Sequence, residues 1–463
     1  MCVGANSAVV YYDQNQLTKA WSNPYVLSVA AGGQEFEAVA WPDTDFNRVL
    51  AVGQHGLFAW SNNNGLSWTV GDTGDDIRWF DLDGATSTSA FAAGTFGRVA
   101  QLTFNSGPNT WSYSDPGPTG VTNHLRAIST RWDDHIWAGG DSGVYIERAL
   151  STSTRAADAD RYSTAIAMSS DWPDDSCDTV VLATGRDFPD ALSASALAGT
   201  YECPLLLTGT TLRDDVKAEI ERLGASTVVI VGGTSAVSQV VQDALPGGVV
   251  ADRIAGDNRY HTAELVARKI AAEEGDDFTH QAFIARGDGF ADALAVSPFA
   301  YSQKIPVLLT KTTSLPGNTQ LALTDLNIDS AALAGGESAV SSGVKSSVDA
   351  ILVGMGGSAS ERWWGQNRYE TAATVARNGI EAGWGTTAFV GLATGLNFPD
   401  ALGGGAVCGS TGGVLLLTTG TSLSPEADAF LTEYSGDVLE IRVFGGATVV
   451  TDAVKNAAAA KIW

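Results

Sequence analysis

Three pairs of arginines with the same internal spacing are the residues of this sequence best suited to chemistry. In every pair the second arginine opens the string Arg-Tyr-x-Thr-Ala. A guanidinium group forms parallel hydrogen bonds with phosphate or carboxylate, so the pairs predict anion-binding sites. The alternative is that they join neighbouring modules through carboxylates or backbone carbonyls. The pairs are Arg155 with Arg161, Arg253 with Arg259, and Arg362 with Arg368.

An aspartate follows each pair in a Gly-x-x-Phe-x-Asp-Ala-Leu turn. The turn reads as the start of a helix, where a carboxylate caps free N–H groups and meets the helix dipole favourably. We therefore predict structural roles for Asp190, Asp292 and Asp400. The phenylalanines of the same turns are predicted core anchors, and they are Phe188, Phe290 and Phe398.

A glycine pair ends a later strand of each unit. Glycines let the backbone approach a helix N-terminus closely, which is a place where an anion can bind. A dinucleotide-binding motif is not predicted, because the third spaced glycine and the downstream acidic residue are missing. The pairs are Gly232 with Gly233, Gly335 with Gly336, and Gly445 with Gly446.

Several classes of function find no support in the residues. The sequence has no nucleophile elbow, no P-loop, no zinc-ligand spacing and no glycosidase-like carboxylate pair, so we predict a non-enzyme without metal or cofactor. The formal net charge is -25, from 52 acidic and 27 basic residues, which argues against nucleic-acid binding. No apolar run reaches the roughly 20 residues of a membrane span, so no membrane insertion is predicted.

Two cysteines, Cys177 and Cys203, each stand just before an apolar, strand-like run. If those strands are neighbours, a disulfide between the two cysteines is possible. The alternative is a pair of buried free thiols.

The elements that must position these residues follow a βαβ pattern from residue 151 onward. Short apolar strands alternate with helical stretches, which predicts parallel sheets. The arginine pair, the Phe turn, a Leu-rich strand and the glycine pair recur in that order three times. We therefore predict three α/β modules, at 151–250, 251–357 and 358–463.

These blocks resemble the cell-wall-binding repeat 2 (CWB2) family. The resemblance implies modules with a Rossmann-like or Toprim-like fold, packed as a pseudo-trimer, that hold surface proteins to anionic wall polymers without a covalent bond. Three positions depart from the family pattern. The first module has Asp158 where the others have glycine, Ala291 replaces a proline, and Gly413 replaces another. The first module's site is the one that these departures most affect.

Residues 1–150 have a different pattern, rich in Trp, Gly, Ser and Asn with short alternating strands. A Gly-x-x-Gly turn recurs at blade-like spacing, beginning at Gly53, Gly94 and Gly140. Residues 61–68 resemble the Asp-box turn of sialidase-like and photosystem-assembly-factor-like propellers, and Trp68 is expected to pack between blades. We predict a partial β-propeller that is truncated at its N-terminus, with the leader of an exported protein absent from this chain.

Together these features predict an extracellular protein of the cell wall or surface layer. Its three modules would anchor it to an anionic wall polymer, and the propeller would present a surface to other surface proteins. One alternative is the C-terminal part of a wall-anchored propeller glycosidase with its catalytic blades upstream. Another is a structural protein of a surface lattice.

Overall fold

The computed structural model describes residues 2–4, 8–10, 25–26, 35–41, 48–63, 67–73, 76–86, 89–105, 110–114, 121–130, 135–149 and 152–462. The chain divides into two compact units, 1–150 and 151–463. Each unit has its own type of sheet: antiparallel in the first and parallel in the second.

The described residues of the first unit form four antiparallel sheets, in which neighbouring strands follow one another along the chain. Within those residues, two of the sheets have four strands and two have three. The sheets are β1 (Cys2–Gly4), β2 (Ala8–Val10) and β3 (Tyr25–Val26); β4 (Phe36–Ala40), β5 (Val49–Gly53), β6 (Leu57–Ser61) and β7 (Thr69–Asp72); β8 (Trp79–Thr86), β9 (Ser89–Gly94), β10 (Val99–Asn105) and β11 (Thr110–Ser114); and β12 (Leu125–Ser129), β13 (His135–Gly140) and β14 (Tyr145–Ala149).

The three Gly-x-x-Gly turns share one backbone conformation. The last two residues of each turn have positive φ, for example 57° at Phe96 and 69° at Gly97. The first glycine is needed for a different reason. A Cβ on Gly94 would lie 2.8 Å from the Arg78 carbonyl oxygen on the neighbouring chain segment. The residue after that glycine donates its N–H to the same carbonyl, from Thr95 to Arg78 at 3.0 Å.

Side chains of two consecutive sheets share one hydrophobic cluster. Phe58 of the β4–β7 sheet and Trp79 of the next sheet are both members of it. Trp68 packs on a second cluster, formed within the β4–β7 sheet by Phe36, Leu57 and two alanines. Residues 64–66 of the Asp-box-like turn lie outside the described residues. The antiparallel sheets follow the predicted pattern, and their closure into a propeller stays a prediction.

The second unit contains three parallel sheets of four strands each. Most strands are short runs of buried Val, Ile, Leu and Ala, as expected where helices cover both faces. In spatial order, sheet I has β17 (Leu205–Thr208), β16 (Thr179–Thr184), β18 (Thr227–Val231) and β19 (Val250–Ile254); sheet II has β21 (Val307–Thr310), β20 (Gln281–Arg286), β22 (Ser330–Ala334) and β23 (Glu361–Trp363); and sheet III has β25 (Val414–Thr418), β24 (Phe389–Thr394), β26 (Glu440–Phe444) and β15 (Thr152–Ala156).

Helices connect these strands. The structure has α1 (Arg161–Ser169), α2 (Ala194–Thr200), α3 (Asp214–Arg222), α4 (Gln239–Asp243), α5 (Arg259–Glu274), α6 (Ala291–Ser302), α7 (Gly317–Asp325), α8 (Ser342–Gly354), α9 (Arg368–Glu381), α10 (Pro399–Ser410), α11 (Pro425–Glu433) and α12 (Asp452–Ala459). Among the described residues, no helix is both long enough and apolar enough to cross a membrane.

The last strand of each parallel sheet comes from the arginine block that opens a module. β19 carries Arg253 into sheet I, and β23 carries Arg362 into sheet II. The exchange is cyclic, because β15, the first strand of the unit, pairs with β26 in sheet III. The predicted boundary between residues 250 and 251 therefore falls inside a strand.

Helices α2, α6 and α10 pack against one another in the centre of this second unit. Glycines allow the close approach. A Cβ on Gly409 of α10 would lie 2.7 Å from the Pro298 carbonyl oxygen of α6, and Gly199 of α2 lies against the Tyr301 carbonyl. Each central helix also contacts the helix that begins at the next module's arginine, so α2 meets α5, α6 meets α9, and α10 meets α1.

The possible disulfide between Cys177 and Cys203 is not formed. Both residues are buried free thiols, although the strands that follow them, β16 and β17, are hydrogen-bonded neighbours. The register of the two strands explains why the thiols are not bonded. With Val181 opposite Leu205, the position opposite Cys203 is Thr179, which is two residues along the chain from Cys177.

Candidate functional site

The second arginine of each pair is the first residue of a helix. An Asn or Asp side chain caps each of these helices, accepting hydrogen bonds from the next two backbone N–H groups after the arginine. The three helices are α1 at Arg161, capped by Asp160; α5 at Arg259, capped by Asn258; and α9 at Arg368, capped by Asn367. The three arginines thus occupy equivalent places in the three modules.

Each of these arginines donates a hydrogen bond to the glycine that opens its own module's Phe turn. The pairs are Arg161 with Gly185 at 2.6 Å, Arg259 with Gly287 at 2.6 Å, and Arg368 with Gly395. In the part of the chain that the structure describes, no carboxylate lies within ion-pair distance of these three guanidinium groups. One nitrogen of each therefore holds the turn, and the charge is not neutralised by a direct salt bridge.

The predicted capping role of the turn aspartates is wrong in detail. Each of them stands at the start of its helix, but no side-chain cap hydrogen bond is formed by Asp190, and Phe290 and Phe398 occupy the N-cap positions of α6 and α10. The carboxylates instead lie over the first glycine of their module's glycine pair. A Cβ on Gly232 would lie 2.9 Å from Oδ2 of Asp190.

Each turn aspartate interacts electrostatically with the helix-start arginine of the next module. Asp190 interacts with Arg259, Asp292 with Arg368, and Asp400 with Arg161. Burial raises the pKa of all three carboxyl groups, and the arginine charges oppose this rise only in part. The nearby Thr262 hydroxyl also acts to lower the pKa of Asp190. Each of the three module interfaces thus pairs a turn aspartate of one module with the helix-start arginine of the next.

The three turn phenylalanines meet one another. Ring centroids are 5.6 Å apart for Phe188 and Phe290, 5.8 Å for Phe188 and Phe398, and 6.2 Å for Phe290 and Phe398. The guanidinium groups of Arg161 and Arg368 lie over Phe398 and Phe290 at 5.9 Å and 5.7 Å. The predicted core anchors therefore form one cluster that brings the three interfaces together.

The first arginine of each pair joins its strand to the sheet that the strand enters. Each donates to the carbonyl of the first glycine in that sheet's glycine pair: Arg155 to Gly445 at 2.5 Å, Arg253 to Gly232 at 2.8 Å, and Arg362 to Gly335 at 2.7 Å. Arg155 also pairs with Asp452 at 3.0 Å. These contacts favour the joining role over ligand binding for Arg155, Arg253 and Arg362.

Two polar cavities lie where the helix-start arginines face the preceding module. The first interfacial cavity, of about 500 Å³, contains Arg259 and Asp190 together with Gly233, Ser235 and the exposed Arg186. The second, of about 610 Å³, has Arg368, Asp292, Gly336 and Ser338 at the equivalent positions; its second arginine, Arg286, precedes the turn glycine Gly287, whereas Arg186 follows Gly185. Each combines a helix start, two guanidinium groups and a glycine-pair loop. Sequence reasoning missed Arg186 and Arg286, although both stand beside the Gly-x-x-Phe turn.

The interface between the third and first modules has different residues. Leu396 follows the turn glycine Gly395, where Arg186 follows Gly185 in the first module. Asp158 takes the place of a glycine, and the cap of α1 is a charged Asp160, whose carboxylate pairs with Arg213. Of the three departures from the family pattern, Asp158 lies at this interface, whereas Ala291 lines the second interfacial cavity. No group of metal-binding side chains occurs among the described residues.

The fold and the repeated interfaces define a protein with a cyclic array of three α/β repeats and a helix-start arginine at each interface between them. The chain belongs to the family described as Cell wall binding domain 2 (CWB2), which matches residues 155–242, 253–345 and 362–455, more than half of the chain. Domains of this family bind cell-wall polymers, and the proteins that carry them are associated with the cell wall.

Two curated relatives come from Bacillus subtilis (strain 168). The N-acetylmuramoyl-L-alanine amidase LytC is 30% identical over 317 residues, covering 68% of this chain and 60% of the amidase. The amidase enhancer is 32% identical over 169 residues, covering 36% of this chain and 23% of the enhancer. The chain therefore matches less than two thirds of either relative. CWB2 is a binding domain, but one relative is named as an enzyme.

Two solved structures from Clostridium difficile share the fold. Cwp6 aligns with a TM-score of 0.61 at 20% identity, covering 92% of this chain and 67% of Cwp6. Cwp8 aligns with a TM-score of 0.58 at 22% identity, covering 71% of this chain and 58% of Cwp8.

Proposed function

We propose that the second unit anchors this protein non-covalently to an anionic cell-wall polymer through its module interfaces. The observation that carries the proposal is the equivalence of the two interfacial cavities. Each places a helix-start arginine, a second arginine and a glycine-pair loop around one polar space. Arginine and helix N-termini both favour phosphate or carboxylate groups.

The strongly acidic chain does not prevent such binding. The formal net charge is -25, so long-range attraction of a polyanion is poor. A local arginine cavity acts within a Debye length of roughly 8 Å at physiological salt. The polymer is therefore expected to bind through contacts at short range, with the repeated charges of the polymer engaging more than one cavity.

For the first unit, we propose a partial β-propeller that presents a surface to other molecules at the cell surface. The support is its succession of antiparallel sheets joined by Gly-x-x-Gly turns of one conformation. We propose no enzymatic activity for the described residues, because the interfacial cavities hold no paired nucleophile and base. The wall location follows from the family, and we extend it to an extracellular or surface-layer protein.

The anchoring proposal is tested by placing carboxylates in the two interfacial cavities. Ser235 and Ser338 are exposed there, so the double variant Ser235→Glu/Ser338→Glu adds repulsion without removing a packing contact. We expect its affinity for purified cell walls to fall by about tenfold or more, which corresponds to about 1.4 kcal/mol. The measurement is co-sedimentation of the full chain with walls.

A matched control makes the same charge change elsewhere. Ser346→Glu/Ser347→Glu alters two exposed serines of α8, which lie outside both cavities. It should sediment with walls as the wild type does. Walls stripped of phosphodiester-linked polymer should lose the wild-type protein. Equal binding of the two double variants would refute the interfacial sites, and full binding to stripped walls would refute the anionic polymer.

A further inference from the structure

A third cavity, of about 230 Å³, lies at the opposite edge of sheet II, where the strands begin. Its lining comes from the first residues of β20, β22 and β23 and from the segment after α9. We propose that this cavity binds a single neutral sugar ring. Its volume is below the roughly 300 Å³ at which pockets for drug-sized ligands begin, so it suits one ring and not an extended molecule.

The cavity exists because Ala332 stands where the other sheets have a larger residue on the same face; Ala331, the residue before it, points to the opposite face of the sheet. Strand pairing makes Thr227, Ser330 and Glu440 equivalent positions in the three sheets. The next two residues are Val228 and Val229 in sheet I, Ala331 and Ala332 in sheet II, and Ile441 and Arg442 in sheet III. In sheet III, Arg442 uses this space to pair with Asp171 and Glu440. Only the second module has alanines, with their small methyl side chains, at both of these positions.

Aromatic rings form the wall of the cavity beside Ala332. Trp363 and Trp384 have centroids 5.6 Å apart, and Phe283 lies 5.7 Å from Trp363 and 6.0 Å from Trp384. Rings this close touch each other, so they form a continuous surface and not a cage around a cation. Trp384 is partly exposed while the other two are buried. A ligand must therefore stack with an apolar face on Trp384, the ring of the three that is partly exposed.

The rim of the cavity supplies hydrogen-bonding groups but no cation. Gln281 has no side-chain hydrogen-bond partner among the described residues, and the Glu361 carboxylate accepts from the Trp363 indole at 3.0 Å. Ser330 and Ser358 complete the polar lining. An anionic ligand is disfavoured by Glu361. A pyranose fits both halves of the cavity, because it has an apolar C–H face for Trp384 and hydroxyls for the rim.

This inference does not depend on the anchoring proposal. The interfacial cavities lie where parallel strands end, at Thr184 and Arg286, whereas this cavity lies where they begin, at Gln281. Substitutions in the interfacial cavities are expected to leave the third cavity unaltered, and substitutions in the third cavity to leave the interfacial cavities unaltered. Loss of polymer binding in the serine variants and loss of sugar binding in the variants below are therefore separate outcomes.

The test is saturation-transfer NMR on the full chain with three probes at millimolar concentration: methyl β-D-glucopyranoside, methyl N-acetyl-β-D-glucosaminide and choline. We expect saturation transfer to at least one glycoside and none to choline. The variant Ala332→Val installs the side chain that Val229 has at this position of sheet I and fills the cavity, so the glycoside signal should fall at least fivefold. Ala350→Val, at an exposed position of α8, is the matched control and should keep the signal.

The melting temperature of each variant, followed by circular dichroism, should stay within the range of the wild type. If the valine variant melts early, Trp384→Phe provides a second change at the partly exposed ring, and it should weaken glycoside binding without removing aromatic packing. The proposal is overturned if neither glycoside shows saturation transfer, if the signal survives in the folded valine variant, or if choline alone binds.

Discussion

At the scale of single residues, the turn aspartates show what the sequence can and cannot predict. Their place at the start of a helix follows from the Gly-x-x-Phe turn, and the structure has Asp292 and Asp400 in the first helical turn. Their contacts do not follow, because the glycine beneath each carboxylate and the arginine facing it lie far away in sequence. Local pattern gives helix position, whereas burial and charge partners depend on packing between modules.

The charge of Asp400 is expected to reduce stability at neutral pH. Burial raises its pKa above the ordinary value of 3.8, opposed only by Arg161. The folded state therefore binds the proton more tightly, and the stability that this gives is complete below pH 3.8 and lost as pH rises through the raised pKa. We expect Asp400→Asn to raise the melting temperature at pH 7, with a gain that shrinks as pH falls towards 4.

The measurement is a series of thermal melts across that pH range. Asp437→Asn changes an exposed carboxyl group near the end of α11 and is the control, for which we expect little difference from the wild type. A gain for Asp400→Asn that does not vary with pH, or a loss at pH 7, would contradict the burial argument.

In the first module, the first glycine of the pair is expected to be irreplaceable and the second tolerant. Gly232 has a φ of +116° and lies against the Asp190 carboxylate, whereas a Cβ on Gly233 would meet nothing nearer than 4.0 Å. Gly232→Ala should lower the free energy of unfolding by roughly 1–3 kcal/mol. Gly233→Ala should change it little. Urea unfolding of both variants provides the comparison, and equal losses would show that close approach does not set the requirement.

At the scale of elements, the strands themselves were predictable and their partners were not. Apolar runs and glycine pairs correctly indicate where the parallel strands lie. The strand that carries the first arginine reads as the beginning of its own module, but β19, β23 and β15 each enter another module's sheet. Hydrophobic period gives no information on which sheet edge receives a strand, because every edge offers the same backbone groups.

The pairing of β15 with β26 is expected to depend on alternate backbone N–H groups of β15. Thr152 donates to the Leu439 carbonyl at 2.7 Å, so in a parallel ladder Thr154 is the next donor and Ser153 faces away. Thr154→Pro should destabilise the second unit by roughly 1–3 kcal/mol, because the partner carbonyl is left unsatisfied. Ser153→Pro is the matched control on the same edge strand.

Thermal melts of the full chain, followed by near-ultraviolet circular dichroism, distinguish the two proline variants. A Ser153→Pro variant as unstable as Thr154→Pro would show that general stiffening of this segment, and not the ladder, causes the loss.

At the scale of the whole molecule, cyclic strand exchange makes the second unit one cooperative body. Sheet III is complete only when residues 152–156 reach residues 440–444. The turn phenylalanines and the central helices meet in the same body. The sequence predicts three modules, but their mutual dependence is visible only when the first strand is seen in the last sheet.

A covalent link across this closure is expected to stabilise the unit. Thr152 and Glu440 are paired residues of neighbouring parallel strands, a spacing that suits a disulfide. The variant Thr152→Cys/Glu440→Cys should form an intramolecular bond and, because the closed loop is long, gain up to about 5 kcal/mol on oxidation. The readouts are faster migration on non-reducing gels and a higher melting temperature than that of the reduced protein.

The single variants Thr152→Cys and Glu440→Cys are the controls and should show neither effect. Disulfide-linked dimers in place of the faster-migrating monomer would mean that β15 closes the ring of another molecule.

Closure of the ring also restricts how such a protein can change over generations. In an open solenoid, a repeat can be gained or lost by unequal recombination because each repeat contacts only its neighbours. Here loss of one repeat would leave β15 facing a sheet at a different angle, and gain of one would separate β15 from β26. Repeat number is therefore expected to remain at three, and variation to accumulate within single repeats, as at Ala331 and Ala332.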